Sequence, residues 1–370
     1  GDPGTAGAGG AGGTGSTPGN NGEAGASVTS GGDGGAGGAG AAGVAGAGAP
    51  NAITATIGGF TNPQGVAVSP DGTRVYITNS SGTTVSVIDT ATNTITATIG
   101  GFTNPVGVAG SPDGTRVYIT NFGSTTVAVV DTATNAISAT IGAGAGPVWV
   151  AVSPDGTRAY ITNIDGTSVS VVDTATNAVT GTIDGFARPF GGAFSPDGTR
   201  AYITNYGGAS VSVVDTATNA VIGSPIGVGT GPFGVAVSPD GTRAYITNYF
   251  GDTVSVLDTA TNMITATIGV GSFPRGVAVS PDGTRVYITN EGATSGGTSV
   301  SVVDTSTNAV TDTIVGFTGP VGVAVSPDGT RTYVANYGGT TVSVLDTATG
   351  RGGDGGAGGA GGAVGHGGAG

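Results

Sequence analysis

The chain has 370 residues with 77 Gly, no Cys and a single His, and only 9% of it is charged, against about 25% in ordinary soluble domains. Its ten cations are all Arg and its formal charge is −13, so it lacks the positive excess that holds nucleic acid or an anionic membrane. Without Lys or Cys there is no Schiff-base amine, no thiolate nucleophile, no disulfide and no Cys-based metal site.

In chain order, residues 1–50 come first and contain 21 Gly. The same style returns at 350–370, where 13 of 21 residues are Gly. Neither stretch has the side chains to bury enough apolar surface to offset the entropy of ordering it, so both read as low-complexity, linker-like tails. Their chance G-x-G-x-x-G matches follow no strand and carry no dinucleotide signal. No apolar window of about 18 residues exists, so no transmembrane segment is predicted. The opening Gly-Asp-Pro, with the only Met at Met263, reads as a piece of something longer.

Between the tails, residues 51–349 repeat. Ser-Pro-Asp-Gly-Thr-Arg begins at Ser69, Ser111, Ser153, Ser195, Ser238, Ser280 and Ser326, at spacings of 42, 42, 42, 43, 42 and 46 residues. A period of about 40–45 with several strand-like runs is the signature of a β-propeller blade. In the first unit, Gly65–Ser69 is a short apolar run, and Pro70-Asp71-Gly72 is a turn in which Gly takes the left-handed corner. Arg74–Asn79 and Thr84–Asp89 flank a Gly-containing hairpin, and Ile95–Ile99 alternates after the turn Thr90–Asn93. That makes four strands, a to d, and no helix.

If strands b and c form a hairpin with Asn79 opposite Thr84, then Arg74 faces Asp89 at an offset of 15. The offset recurs in Arg116/Asp131, Arg158/Asp173, Arg200/Asp215, Arg243/Asp258 and Arg331/Asp346. Arg285/Asp304 is four residues longer, all within the hairpin loop. The seven are read as structural cross-strand charge pairs. Strand d is missing after the seventh unit, while an orphan copy, Ile53–Ile57, precedes the first. The expectation is an all-β, seven-bladed propeller of four-stranded antiparallel blades, closed by the N-terminal strand on the last blade.

At Val75-Tyr-Ile-Thr-Asn79, Val117-Tyr-Ile-Thr-Asn121, Val286-Tyr-Ile-Thr-Asn290 and the Ala-Tyr-Ile-Thr-Asn copies, the repeat resembles the YVTN family of β-propellers. The flanks resemble the Gly/Ala-rich part of mycobacterial PE-PGRS proteins, although the PE domain itself is absent. The second resemblance implies an extracellular, cell-surface or cell-wall location. The first implies a ring of blades but no single activity, since surface-layer proteins, lactonase-like enzymes and ligand binders share it.

Chemistry has few carriers. His366, the only His, lies in the C-terminal tail, so the propeller has no imidazole for a triad or a His-lined metal site. The turn aspartates are lone carboxylates on separate blades, poorly placed for a Ca²⁺ shell. No metal, cofactor or catalytic residue is predicted. Asn79-Ser80-Ser81 is a formal glycosylation acceptor but reads as a hairpin corner.

In a self-repeating chain, function is sought where the copies differ. The a–b and c–d turns are nearly invariant, whereas the d–a and b–c connections at the other end vary. After the repeated Pro, the mouth position reads Gln64, Val106, Val148, Phe190, Phe233, Arg275 and Val321; Trp149 replaces a Gly, and Arg188 precedes Pro189. The hairpin tips add Phe122, Ile164, Tyr206, Tyr249, Phe250, Glu291 and Tyr337. The predicted binding residues are Arg275, Arg188, Trp149, Phe190, Phe233, Gln64, Tyr206, Tyr249 and Tyr337, of the types enriched at binding hot spots. The leading reading is a non-enzymatic interaction module for a protein, carbohydrate or small acidic ligand. A lactonase-like hydrolase using Arg188, Arg275, Glu291 and a water is the alternative, with a purely structural wall or surface element third.

Overall fold

The computed structural model describes residues 51–292 and 298–348. The tails read at 1–50 and 350–370, with His366, lie outside the described residues, as does the hairpin tip at 293–297. Over the described span the chain forms seven four-stranded antiparallel sheets. Blade 1 is strand a (Pro63–Val68), b (Arg74–Asn79), c (Thr84–Asp89) and d (Thr94–Gly100). Each later blade repeats the order.

The pattern of burial follows from each strand's place in the blade. Strands b and c are covered on both faces by the adjacent blades, so Val75 to Asn79 and Val85 to Ile88 are buried throughout. Strand d lies at the rim, where Thr94, Thr96 and Thr98 face water and alternate with partly buried apolar residues. The core is divided among the seams. Between blades 7 and 1, for example, Ile57, Phe60, Val75, Ile77, Ile88, Tyr333, Val342 and Val344 form one apolar cluster. Strands b and c pair in the predicted register, from Asn79 opposite Thr84 to Arg74 opposite Asp89.

The ring closes as the strand count requires. Blade 7 has three C-terminal strands, Pro320–Val325, Arg331–Asn336 and Thr341–Asp346, and its outer strand is Ile53–Gly58. Ile57 opposes Val342 and Thr56 opposes Ser343. Among the described residues, no helix is long and apolar enough to cross a membrane.

One expectation is corrected. The cross-strand register of Arg74/Asp89 and its six counterparts is present, but the two side chains diverge instead of pairing as charges. Each Asp caps its own c–d turn: Asp89 Oδ1 accepts from the Thr92 amide and hydroxyl, both at 2.8 Å. Each Arg reaches across a seam to a backbone carbonyl of the next blade. Arg74 Nη1 donates to Thr132 O at 2.5 Å and Arg200 Nη1 to Thr259 O at 2.6 Å; Arg116, Arg158, Arg243 and Arg331 reach Thr174, Thr216, Thr305 and Thr90. Arg285 breaks the series, because its partner is the side chain of Asn51, at 3.4 Å. A turn carboxylate is already satisfied by local amides and hydroxyls, whereas a carbonyl ending a strand at a seam lacks a donor, and a long guanidinium supplies one. The Arg side chains thus bridge blade to blade and the Asp side chains cap their own turns, so neither pairs strand to strand.

Candidate functional site

Each inner strand carries an irregularity that the repeat does not announce. In blade 1, pairing shifts register between Pro63 and Val66, so strand a bulges against strand b. The gap is filled by a side chain: the Gly65 amide donates to Thr78 Oγ1 at 2.7 Å, and that hydroxyl donates to Val106 O of blade 2 at 2.8 Å. In blade 1 that position must be small, because a Cβ at Gly65 would lie 2.4 Å from Val106 O, whereas blade 3 carries Trp149 there. A bulge re-aims the side chain it carries. The residue it carries here, immediately before that Gly, is the variable one: Gln64, Phe190, Arg275 and their equivalents. Six blades thereby contribute this side chain to the central channel, blade 3 contributes Trp149 instead, and the channel opens into a funnel of about 700 Å³.

Most of the predicted binding residues converge there. Gln64, Phe190 and Arg275 line both channel and funnel, Trp149 and Phe233 line the channel, and Tyr337 lines the funnel. The funnel is two-sided. Its blade 1–3 wall has Gln64, Ser80, Ser81 and Asn104, with Phe122 and Ile164 at hairpin tips. On the blade 4–6 side an aromatic cluster extends outward from Phe190, which lines the funnel. Phe190 and Phe233 stack at 3.7 Å between centroids, Phe233 meets Tyr249 at 5.8 Å, and Tyr249 meets Phe250 and Phe273, each at 5.0 Å. Tyr206 joins through Phe250 at 5.9 Å, and Phe250 is 59% exposed.

The two cations lie against this cluster. The Arg275 guanidinium is 4.6 Å from the Phe233 centroid and 6.0 Å from that of Tyr337. Its Nη1 forms an ion pair with Glu291 Oε2 at 3.2 Å, so the fork of donors expected to await an acidic ligand is partly occupied. Its buried Nε has no protein acceptor. Tyr249 Oη donates to the same carboxylate oxygen at 3.1 Å. Burial, with the Glu291 charge behind it, pushes the Tyr249 phenol up to about 12, so it stays a neutral donor at physiological pH. Arg188 is exposed and lies 5.6 Å from the Tyr206 ring.

Trp149 has a structural duty as well. Its indole Nε1 donates to Gly192 O of blade 4 at 2.8 Å. Gly192 stands where blade 1 has Val66, and a Cβ there would lie 3.7 Å from Trp149 Cδ1. The tighter neighbour of such a Cβ is Ile203 Cδ1 at 3.1 Å, so Trp149 and Gly192 are joined by the indole hydrogen bond and not by steric fit.

Sequence reasoning missed Phe273 and the strain beside it. Residues other than Gly and Asn adopt positive φ at Thr167, Arg188, Ala209, Asp252 and Phe273, with φ from 47° to 54°. All five lie in the connections at the funnel end, in blades 3 to 6 or the loops between them. The opposite end uses Asn at every such corner, from Asn93 to Asn308. Phe273 takes a place that Asn62, Asn104, Gly146, Gly231 and Gly319 fill in other blades, which is the signal that marks it. Among the described residues no three His, Cys, Asp or Glu side chains converge as metal ligands. Asn79 is buried, and its Nδ2 donates to Thr84 and Ser86 hydroxyls at 2.9 and 3.0 Å, consistent with a hairpin corner.

These features define a seven-bladed β-propeller with one invariant end and one differentiated, aromatic-edged funnel. Its fold is similar to a solved chain described as Kuenenia stuttgartiensis hydrazine synthase, with a TM-score of 0.70 and 24% identity over 82% of this chain and 99% of that one. At that identity the likeness establishes the fold alone. No family model matches the sequence, and no curated protein matches it.

Proposed function

We propose that this protein is a non-enzymatic interaction module that captures its partner at the funnel end of the propeller. The observation that carries the reading is where the strain lies. Holding a residue other than Gly or Asn at positive φ costs roughly 1–2 kcal/mol, and such strain concentrates at sites where function demands a side chain. Among the described residues it is confined to the funnel end, beside the aromatic cluster. Blades that repeat almost perfectly elsewhere have departed from the repeat at that end. The Gly/Ala-rich flanks, with their PE-PGRS resemblance, support display outside the cell or on its wall; fractionation of the producing cells, with the chain detected in the envelope or the medium, tests that location.

The binding reading is tested by probing parallel glycan and protein arrays with the full chain and with Phe250→Ala and Arg188→Ala. Phe250 and Arg188 are exposed, so both variants should fold and lose the parent's array signal. Signals that persist unchanged would move the site away from the funnel. The hydrolase alternative would need Glu291 free to act on water, and its Oε2 is engaged by Arg275 and Tyr249. Turnover of lactones or sugar-acid lactones that disappears in Arg275→Ala would replace the binding reading with that one.

A further inference from the structure

We infer that the funnel is a site for a neutral, hydroxyl-rich ligand, namely an uncharged oligosaccharide; this rests on the binding reading above and names its ligand class. An anion would need a free cation in the recess, yet Arg275 is paired with Glu291 at 3.2 Å, Arg188 lies outside the recess lining, and the whole chain carries −13. Arg275 lies over Phe233 and Tyr337, and Arg188 over Tyr206, which takes those three faces from a cationic ligand.

What remains is amphipathic. A sugar ring has an apolar C–H face and a rim of hydroxyls that both donate and accept. The aromatic cluster that runs outward from Phe190 at the funnel's edge, with Phe250 exposed, offers ring surface to the first. The second meets mixed donors and acceptors: the amides of Gln64 and Asn104, the hydroxyls of Ser80 and Ser81, and the Arg275–Glu291 pair. Shape favours a small ligand over a protein face. The recess has a volume of about 700 Å³, within the range of small-molecule clefts, whereas a protein partner usually needs roughly 800 Å² of fitted surface on each side. The sole Trp, Trp149, lies in the channel below the funnel and reports on its occupancy.

The test titrates the full chain with cellohexaose, maltohexaose and mannohexaose. Hexagalacturonate serves as the anionic counterpart, and trimethyl-lysine and aromatic peptides as cationic and peptide probes. Calorimetry and Trp149 fluorescence give the readout. At least one neutral hexasaccharide should bind, equally at low and high salt, and Tyr206→Ala and Phe250→Ala should weaken it about tenfold without moving the melting temperature. If no neutral sugar binds, or the anionic or peptide probes bind better and Phe250→Ala abolishes that binding, the ligand class is wrong and the funnel reading stands. Sugar binding that Tyr206→Ala and Phe250→Ala leave intact overturns the inference and the funnel reading together.

Discussion

Arg188 shows what one residue costs the repeat. Its φ is 53°, at a corner where blades 1 and 2 place Asn62 and Asn104 at 47° and 48°. Asn adopts that region several-fold more readily than Arg, so Arg188→Asn should relieve strain while losing an exposed cation–π contact with Tyr206. A net gain of about 0.5 kcal/mol in denaturant unfolding is expected; a loss of stability would mean that the corner is not strained. The opposite end of the ring depends on carboxylates. Ser69 and Thr73 hold Asp71 below its usual range, with the Ser69 hydroxyl leading, and Asp113, Asp155, Asp197, Asp240 and Asp328 repeat the arrangement. A depressed native pKa stabilises the fold above the unfolded value, near 3.9, and that contribution is lost as pH falls through the native one. The urea midpoint should therefore hold level as pH drops from neutral to about 4 and decline below that. A midpoint that climbs on acidification to pH 3 would contradict the assignment.

Strands and turns were legible in the sequence because their signals are local. The Pro-Asp-Gly turn, the alternation of strand d and the b–c offset each lie within one unit, and the paired register matches them. Contacts between units were not legible. That Arg74 would reach Thr132, or that Trp149 would bond to Gly192, depends on which strands the ring makes neighbours. The bulge that delivers Gln64, Phe190 and Arg275 to the funnel was equally hidden, since it shows only as a register shift between two strands. The same seam-level view exposes a weak element. In strand b of the other six blades a Thr donates across a seam to the next blade, as Thr289 does to Val321 O at 2.8 Å, but blade 7 has Ala335 there. Three residues earlier, Thr332 stands where blade 1 has Val75; it is fully buried and its hydroxyl has no partner. A buried hydroxyl without a partner costs roughly 1–3 kcal/mol, so Thr332→Val, a near-isosteric change, should stabilise the protein by about 1 kcal/mol in chemical denaturation. A destabilised variant would show that the hydroxyl is satisfied by water.

On the scale of the whole ring, the chain's break falls inside a turn that is already formed. Asn51 lies just before the closing strand, as Asn93 lies before strand d of blade 1, and both have positive φ, 62° and 54°. Its amide donates to Asp346 O at 3.0 Å, matching the bonds from Asn262 to Asp258 O and from Asn308 to Asp304 O, each 2.9 Å, that close the equivalent turns of blades 5 and 6. Its side chain completes the seam to blade 6, donating to Asp312 at 3.1 Å and lying 3.4 Å from both the Arg285 guanidinium and the Tyr287 hydroxyl. Joining residue 349 directly to residue 51 would regenerate the Asp-Thr-Ala-Thr-Asn sequence of the blade 1 turn. A chain joined in this way and re-opened between Thr176 and Asn177 has the same 28 strands and the same seams, with only the position of the ends changed. It should fold and melt within a few degrees of the parent, because equivalent turns differ little in closure entropy. Removing residues 51–58 should instead lower the melting temperature markedly, since blade 7 then loses its outer ladder and Ile57 leaves the cluster that joins it to blade 1. A permuted chain that fails to fold, or a truncated one that melts with the parent, would mean that the ring is not held by equivalent closures.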